Sequence, residues 1–105
     1  MSGSSGGNNR GNDTYNLDCE AVNFKTQLRS IPQGTIEQMK PKLRLPVVDN
    51  DGTVQAIHPD TGKFAGSIAY AKNVELIRCM SEGFGYVATV LKVDDGLVTV
   101  QVTPE

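Results

Sequence analysis

The sequence predicts a mainly β domain, a small six-stranded β-barrel in the order β-short α-β-β-β-α-β-β. Three observations predict it. Apolar and polar residues alternate in six short segments after residue 17. Turn residues such as Asp-Asn-Asp-Gly and Asp-Asp-Gly separate them. One segment, about 74–82, has the stripe of a helix of any length.

Residues 1–17 are rich in Gly, Ser and Asn and are expected to be a disordered tail, because they have too little apolar surface to offset the entropy of ordering. Residues 18–105 form the single domain, with Leu17 and Cys19 packing at its boundary. In the first strand Val22, Phe24, Thr26 and Leu28 share one face, and Asn23, Lys25 and Gln27 the other. Ser30 to Gly34 breaks it. Thr35 is expected to cap a short helix with Gln38 reaching back, and Pro41 stops that helix. Ile36 and Met39 face the core.

Leu43, Leu45 and Val47 mark a second strand, in which Pro46 predicts an edge or a bulge. Asp49-Asn50-Asp51-Gly52 turns the chain into a third strand, Thr53–His58. Pro59-Asp60-Thr61-Gly62 leads to a fourth, Lys63–Ile68. Asn73 is expected to cap the main helix, with Val74, Ile77 and Met80 as its apolar stripe, Leu76 beside it and Gly83 ending it. Tyr86–Val93 and Leu97–Val102 form the last hairpin around Asp94-Asp95-Gly96. An open sheet would expose an edge such as Val98–Val102, and barrel closure removes that hazard.

A chain of 105 residues bounds the answer to one small domain. A core of this size needs no metal or disulfide. Cys19 and Cys79 are therefore read as free thiols of a reducing, prokaryote-like cytoplasm, with a bridge between them left open. No apolar run is long enough to span a membrane, so no membrane partner is expected. Net charge is −2, but it is unevenly spread. Residues 25–44 carry Lys25, Arg29, Lys40, Lys42 and Arg44 against Glu37, whereas residues 45–105 carry four basic and eight acidic residues.

Catalytic patterns are missing, so no catalytic residue, metal or cofactor is assigned. His58 reads as a surface turn residue, and no nucleophile elbow accompanies it. Cys79 reads as a small buried hydrophobe, with Arg78 directed elsewhere on the helix. A calcium loop aligned on Gly52 fails at both ends, at Val47 and His58. Gly62-Lys63-Phe64-Ala65-Gly66 lacks the Lys-Ser/Thr ending of a phosphate loop. Phe84 and Tyr86, flanking Gly85, are read first as core-packing aromatics, with stacking on bases or on a partner as their alternative use.

Leu43–Asp51, then Ala56-Ile57, then Gly62–Ile68, resembles the HIRAN domain, over about 26 residues. That family shows an apolar strand, an Asn/Asp turn, an Ala-Ile strand and a glycine–hydrophobic–glycine strand before a helix. The resemblance implies a small β-barrel and, as in some members, binding of single-stranded DNA ends. The chain departs from the family pattern in lacking a proline in the turn and in having Ser67 where an aromatic is frequent.

The function expected from these features is that of a non-enzymatic binding or adaptor module. The leading partner is a protein or a second copy of the chain, recruited through exposed strand edges at Leu43–Val48 and Val98–Val102. The alternative is single-stranded nucleic acid held by Lys25, Arg29, Lys40, Lys42 and Arg44, with Phe84 and Tyr86 available to stack. A third reading is a small enzyme using His58 or Cys79.

Overall fold

The computed structural model describes residues 17–105, and the expected tail, Leu17 excepted, lies outside them. Six strands form one antiparallel sheet: β1 (Phe24–Gln27), β2 (Arg44–Asn50), β3 (Thr53–Ile57), β4 (Phe64–Ser67), β5 (Tyr86–Asp94) and β6 (Leu97–Pro104). They lie in the order β1-β6-β5-β2-β3-β4. The helix α1 spans Asn73–Ser81. A three-residue 3₁₀ turn, Ile36–Gln38, stands where the short helix is predicted.

The sheet curls into a half-barrel around a core of small and β-branched side chains. Leu45, Val54, Ala56, Ala65, Ala88, Val90, Val98, Val100 and Val102 are almost wholly buried on its concave side. Small residues let the facing strands approach closely. Register shifts between Val90 and Lys92, and between Ala56 and Ile57, add local bend.

The two end strands approach each other along a seam. Arg29 N–H donates to Ser67 C=O at 3.0 Å, and Ser67 N–H returns to Arg29 C=O at 2.7 Å. Thr26 Oγ1 donates to Ala69 C=O at 3.2 Å. The rings of Phe24 and Tyr70 stack 3.7 Å apart at 7°. Gly66 makes the approach possible, since a Cβ there would sit 3.0 Å from Leu28 Cβ and 3.3 Å from Arg29 O.

Two expected edges are therefore interior strands. β6 lies between β1 and β5, and β2 between β5 and β3. Val98–Val102 is not open for a partner's strand, because β1 and β5 already supply its ladder bonds, and β2 is paired with β5 over Arg44–Val47 and with β3 over Val47–Asn50. Pro46 pairs with Val87 of β5, whereas pairing of β2 with β3 begins at Val47. The proline thus sits where one side of β2 is unpaired, consistent with its missing N–H.

The turns follow local chemistry. Asp51 and Gly52 both take positive φ, 55° and 91°, as a two-residue hairpin with matching twist requires. Gly52 N–H is held by Asp49 Oδ1 at 2.9 Å. The end of α1 is a Schellman motif. Gly83, at φ 102°, donates to Met80 C=O, and Phe84 N–H donates to Cys79 C=O, each at 3.1 Å.

The predicted N-caps hold only in part. Thr35 is the N-cap residue of the 3₁₀ turn as expected, but it has helical dihedrals and makes no side-chain cap bond, and its N–H closes a turn onto Pro32 C=O. Lys72 is the N-cap of α1, and Asn73 is its first residue. The Asn73 amide donates instead to Ile68 C=O at 2.9 Å. The helix is also rotated from the expected stripe. Leu76 and Cys79 are its buried residues, Ile77 and Met80 pack partly, and Val74 is 78% exposed.

The buried side of the helix carries a covalent link. Cys79 is joined to Cys19 in a disulfide spanning 60 residues, so neither is a free thiol. Arg78 does not point away from it: Nη2 lies 3.9 Å from Cys19 Sγ and 3.8 Å from Cys79 Sγ, and donates to Leu17 C=O at 3.3 Å. Leu17 and Cys19 pack against the core as expected. The bridge ties the entry of the domain to the helix.

Both constraints can be tested by substitution. Replacing both cysteines, Cys19→Ser with Cys79→Ser, is expected to cost about 4 kcal/mol of stability, the loop-closure entropy of a bridge this long. Urea unfolding with and without a reductant measures it, and the variant should become insensitive to reductant. Gly66→Ala is expected to cost about 1–3 kcal/mol by overpacking the seam against Leu28, read as a lowered thermal midpoint.

Candidate functional site

Side chains alternate across a strand, so the residues that do not enter the core line up on the convex face. The strand registers align them into rows. Lys25 faces Gln101, Gln101 faces Thr89, and Thr89 faces Arg44. One row therefore crosses β1, β6, β5 and β2, with the two cations at its ends, three strand spacings or about 14 Å apart. The next row carries Gln27, Thr99 and Lys92. Leu28 N–H donates to Val98 C=O at 2.9 Å, so Arg29 continues the outward line of Lys25 and Gln27. Lys42 closes onto the same strands, its N–H on Val90 C=O at 2.7 Å, beside the bulge that pushes Leu91 outward.

This face gathers Lys25, Arg29, Lys42, Arg44 and Lys92, all exposed. Among the described residues one carboxylate, Asp94, stands at its margin, 3.6 Å from Lys92 Nζ. Both groups of that pair are well exposed, so the pair contributes little. The other described residues hold four cations and ten carboxylates. A nearly neutral chain is thus strongly polar, with a positive convex sheet and a negative remainder.

Of the predicted site residues, Lys25, Arg29, Lys42 and Arg44 come together here. Lys40 is exposed in the preceding turn, where its carbonyl takes Leu43 N–H at 3.2 Å. Phe84 and Tyr86 are elsewhere. Phe84 is half-buried in a shallow groove with Val47, Val48 and Met80. Tyr86 is 1% exposed and is a core residue, its hydroxyl donating to Cys19 C=O at 2.7 Å. Burial pushes the Tyr86 phenol above its ordinary range, against the opposing charge of Arg78. Tyr86 therefore offers no face for stacking.

Lys92, Gln101 and Thr99 are members of the face that sequence reasoning does not select. Their outward phase is legible in the alternation of the last hairpin, but their neighbours are not. Two further expectations change. His58 is 5% exposed rather than at the surface, because the turn folds back over it: its Nδ1 accepts Asp60 N–H at 3.2 Å. Arg78 is clamped by Glu82 at 2.9 Å and Glu75 at 3.2 Å, and these carboxylates hold its guanidinium above the usual arginine range. Among the described residues no three His, Cys, Asp or Glu side chains converge as a metal site, and no helix is long and apolar enough to cross a membrane.

Comparison with protein-family models, with curated proteins and with solved structures found no match, so the fold and the charged face stand as the basis for reading this chain.

Proposed function

We propose that this chain is a non-enzymatic binding module that takes single-stranded nucleic acid across the convex face of its sheet. One observation carries the reading: five cations share that face with amide and hydroxyl side chains and one marginal carboxylate. Such a surface suits a chain of phosphates, with Lys and Arg meeting charge and Gln101, Thr89 and Thr99 supplying hydrogen bonds. The buried position of Tyr86 leaves binding led by the backbone, tolerant of sequence and sensitive to salt. The resemblance to HIRAN domains points the same way, toward a barrel closed along the Arg29–Ser67 seam and a single-stranded ligand.

A protein partner is the second reading. The groove formed by Val47, Val48, Met80 and Phe84 favours it, since Val48 is 37% exposed there. The disulfide bears on location as well. With Cys19 and Cys79 joined, unpaired thiols no longer support a reducing cytoplasm, and an oxidising compartment fits the bridge better.

Fluorescence anisotropy with labelled single-stranded oligonucleotides at low salt tests the first reading. Binding is expected to weaken linearly in log–log form as salt rises. Lys25→Glu with Arg44→Glu should weaken it and flatten the slope by about 0.7 for each phosphate left without its cation. Lys72→Glu, outside the convex face, should leave it unchanged. No binding at low salt, or equal weakening by all three substitutions, rejects this face as the site.

A further inference from the structure

A cavity of about 480 Å³ opens between the Pro32–Thr35 turn and the β3–β4 connection, apart from the convex face. Gln33, Thr35, His58, Thr61, Lys63 and Phe64 line it. Its size falls in the range of small-ligand sites. Among the described residues lining it are one cation and no carboxylate.

The turn's own hydrogen bonds decide which polar groups remain free. His58 Nδ1 accepts Asp60 N–H, which assigns the ring proton to Nε2. Thr61 Oγ1 accepts Lys63 N–H at 3.2 Å, which leaves its own O–H to donate. The backbone thus occupies an acceptor on each side chain and leaves a donor over. His58 is only 5% exposed as a residue, but its Nε2 is not a buried atom left without a partner, so it can donate into the cavity.

Lys63 adds a positive charge and three donors, and Thr35 adds a further hydroxyl. That supply exceeds what the two oxygens of a carboxylate take up, and suits the three oxygens and two charges of a phosphate monoester. Phe64 gives the same cavity an apolar wall for an organic group.

We propose that this cavity is a binding site for a small organic phosphate, with its phosphoryl group on Lys63, His58 and Thr61 and its organic part against Phe64. The site is independent of the convex face. Titration of the full chain with phenyl phosphate, followed by ¹H–¹⁵N NMR, tests it. Saturable shifts are expected at Gly34, Thr61 and Lys63. Benzoate is expected to bind at least about tenfold more weakly, and phenol not to saturate. Lys63 is exposed, so Lys63→Met keeps the fold and should weaken phenyl phosphate by about tenfold or more. The Lys25→Glu, Arg44→Glu variant should bind it as the parent does, which separates failure here from failure of the convex face. The proposal is overturned by any of four results: no saturable shift up to ~5 mM, shifts outside the cavity, benzoate binding as tightly, or an unchanged Lys63→Met.

Discussion

Two backbone hydrogen bonds between Arg29 and Ser67 bring the first and fourth strands together, although they lie at opposite ends of the sheet order. These are the two end strands of a half-barrel whose concave side is almost wholly apolar, and the contact is a single isolated bridge between them. The contact has a steric condition. A Cβ at Gly66 would sit 3.0 Å from Leu28 Cβ, closer than side chains ordinarily pack, and Ala65 beside it is fully buried. The stacked rings of Phe24 and Tyr70 cover the same seam. The curl that follows gives the sheet a buried inside and a convex outside, and the outside is where the cations collect.

A second, covalent constraint ties the helix to the start of the domain. The Cys19–Cys79 bridge draws the start of the domain over the helix, and Tyr86 and Arg78 complete the junction through the carbonyls of Cys19 and Leu17. Arg78 is thereby committed to Glu75, Glu82 and this junction. Among the described residues, the cations of β1, β2 and β5 have one weak ion pair, at Lys92. The division between structural and available charge lies behind the proposed anionic strand ligand. The helix charges hold the domain together, and the sheet charges face outward with little to neutralise them.

Features set by neighbouring residues are legible in the sequence. Alternation identifies all six strands to within about two residues of their ends, and the hairpin at Asp51-Gly52 and the helix stop at Gly83 follow from turn chemistry alone. The place of Thr35 as an N-cap is legible, but its missing side-chain bond and the shift of the α1 cap to Lys72 are not: Thr35 takes helical dihedrals in a tight turn, and the Asn73 amide bonds back to Ile68. The charged face is half legible. The first two strands and the turn between them supply four of its cations, but Lys92 joins from a hairpin far along the chain.

By itself the sequence determined the phase of each strand, the polar or apolar character of each face, and the turns, since these depend on side chains within a few positions of one another. The tertiary structure alone decided which strands are neighbours, that Leu43–Val48 and Val98–Val102 are interior, that Cys19 meets Cys79, and that His58 is buried beside a cavity. The physical reason is that strand pairing and disulfide closure join residues tens of positions apart. Their choice rests on how the whole sheet curls to bury its apolar side, and no local window of sequence contains that information.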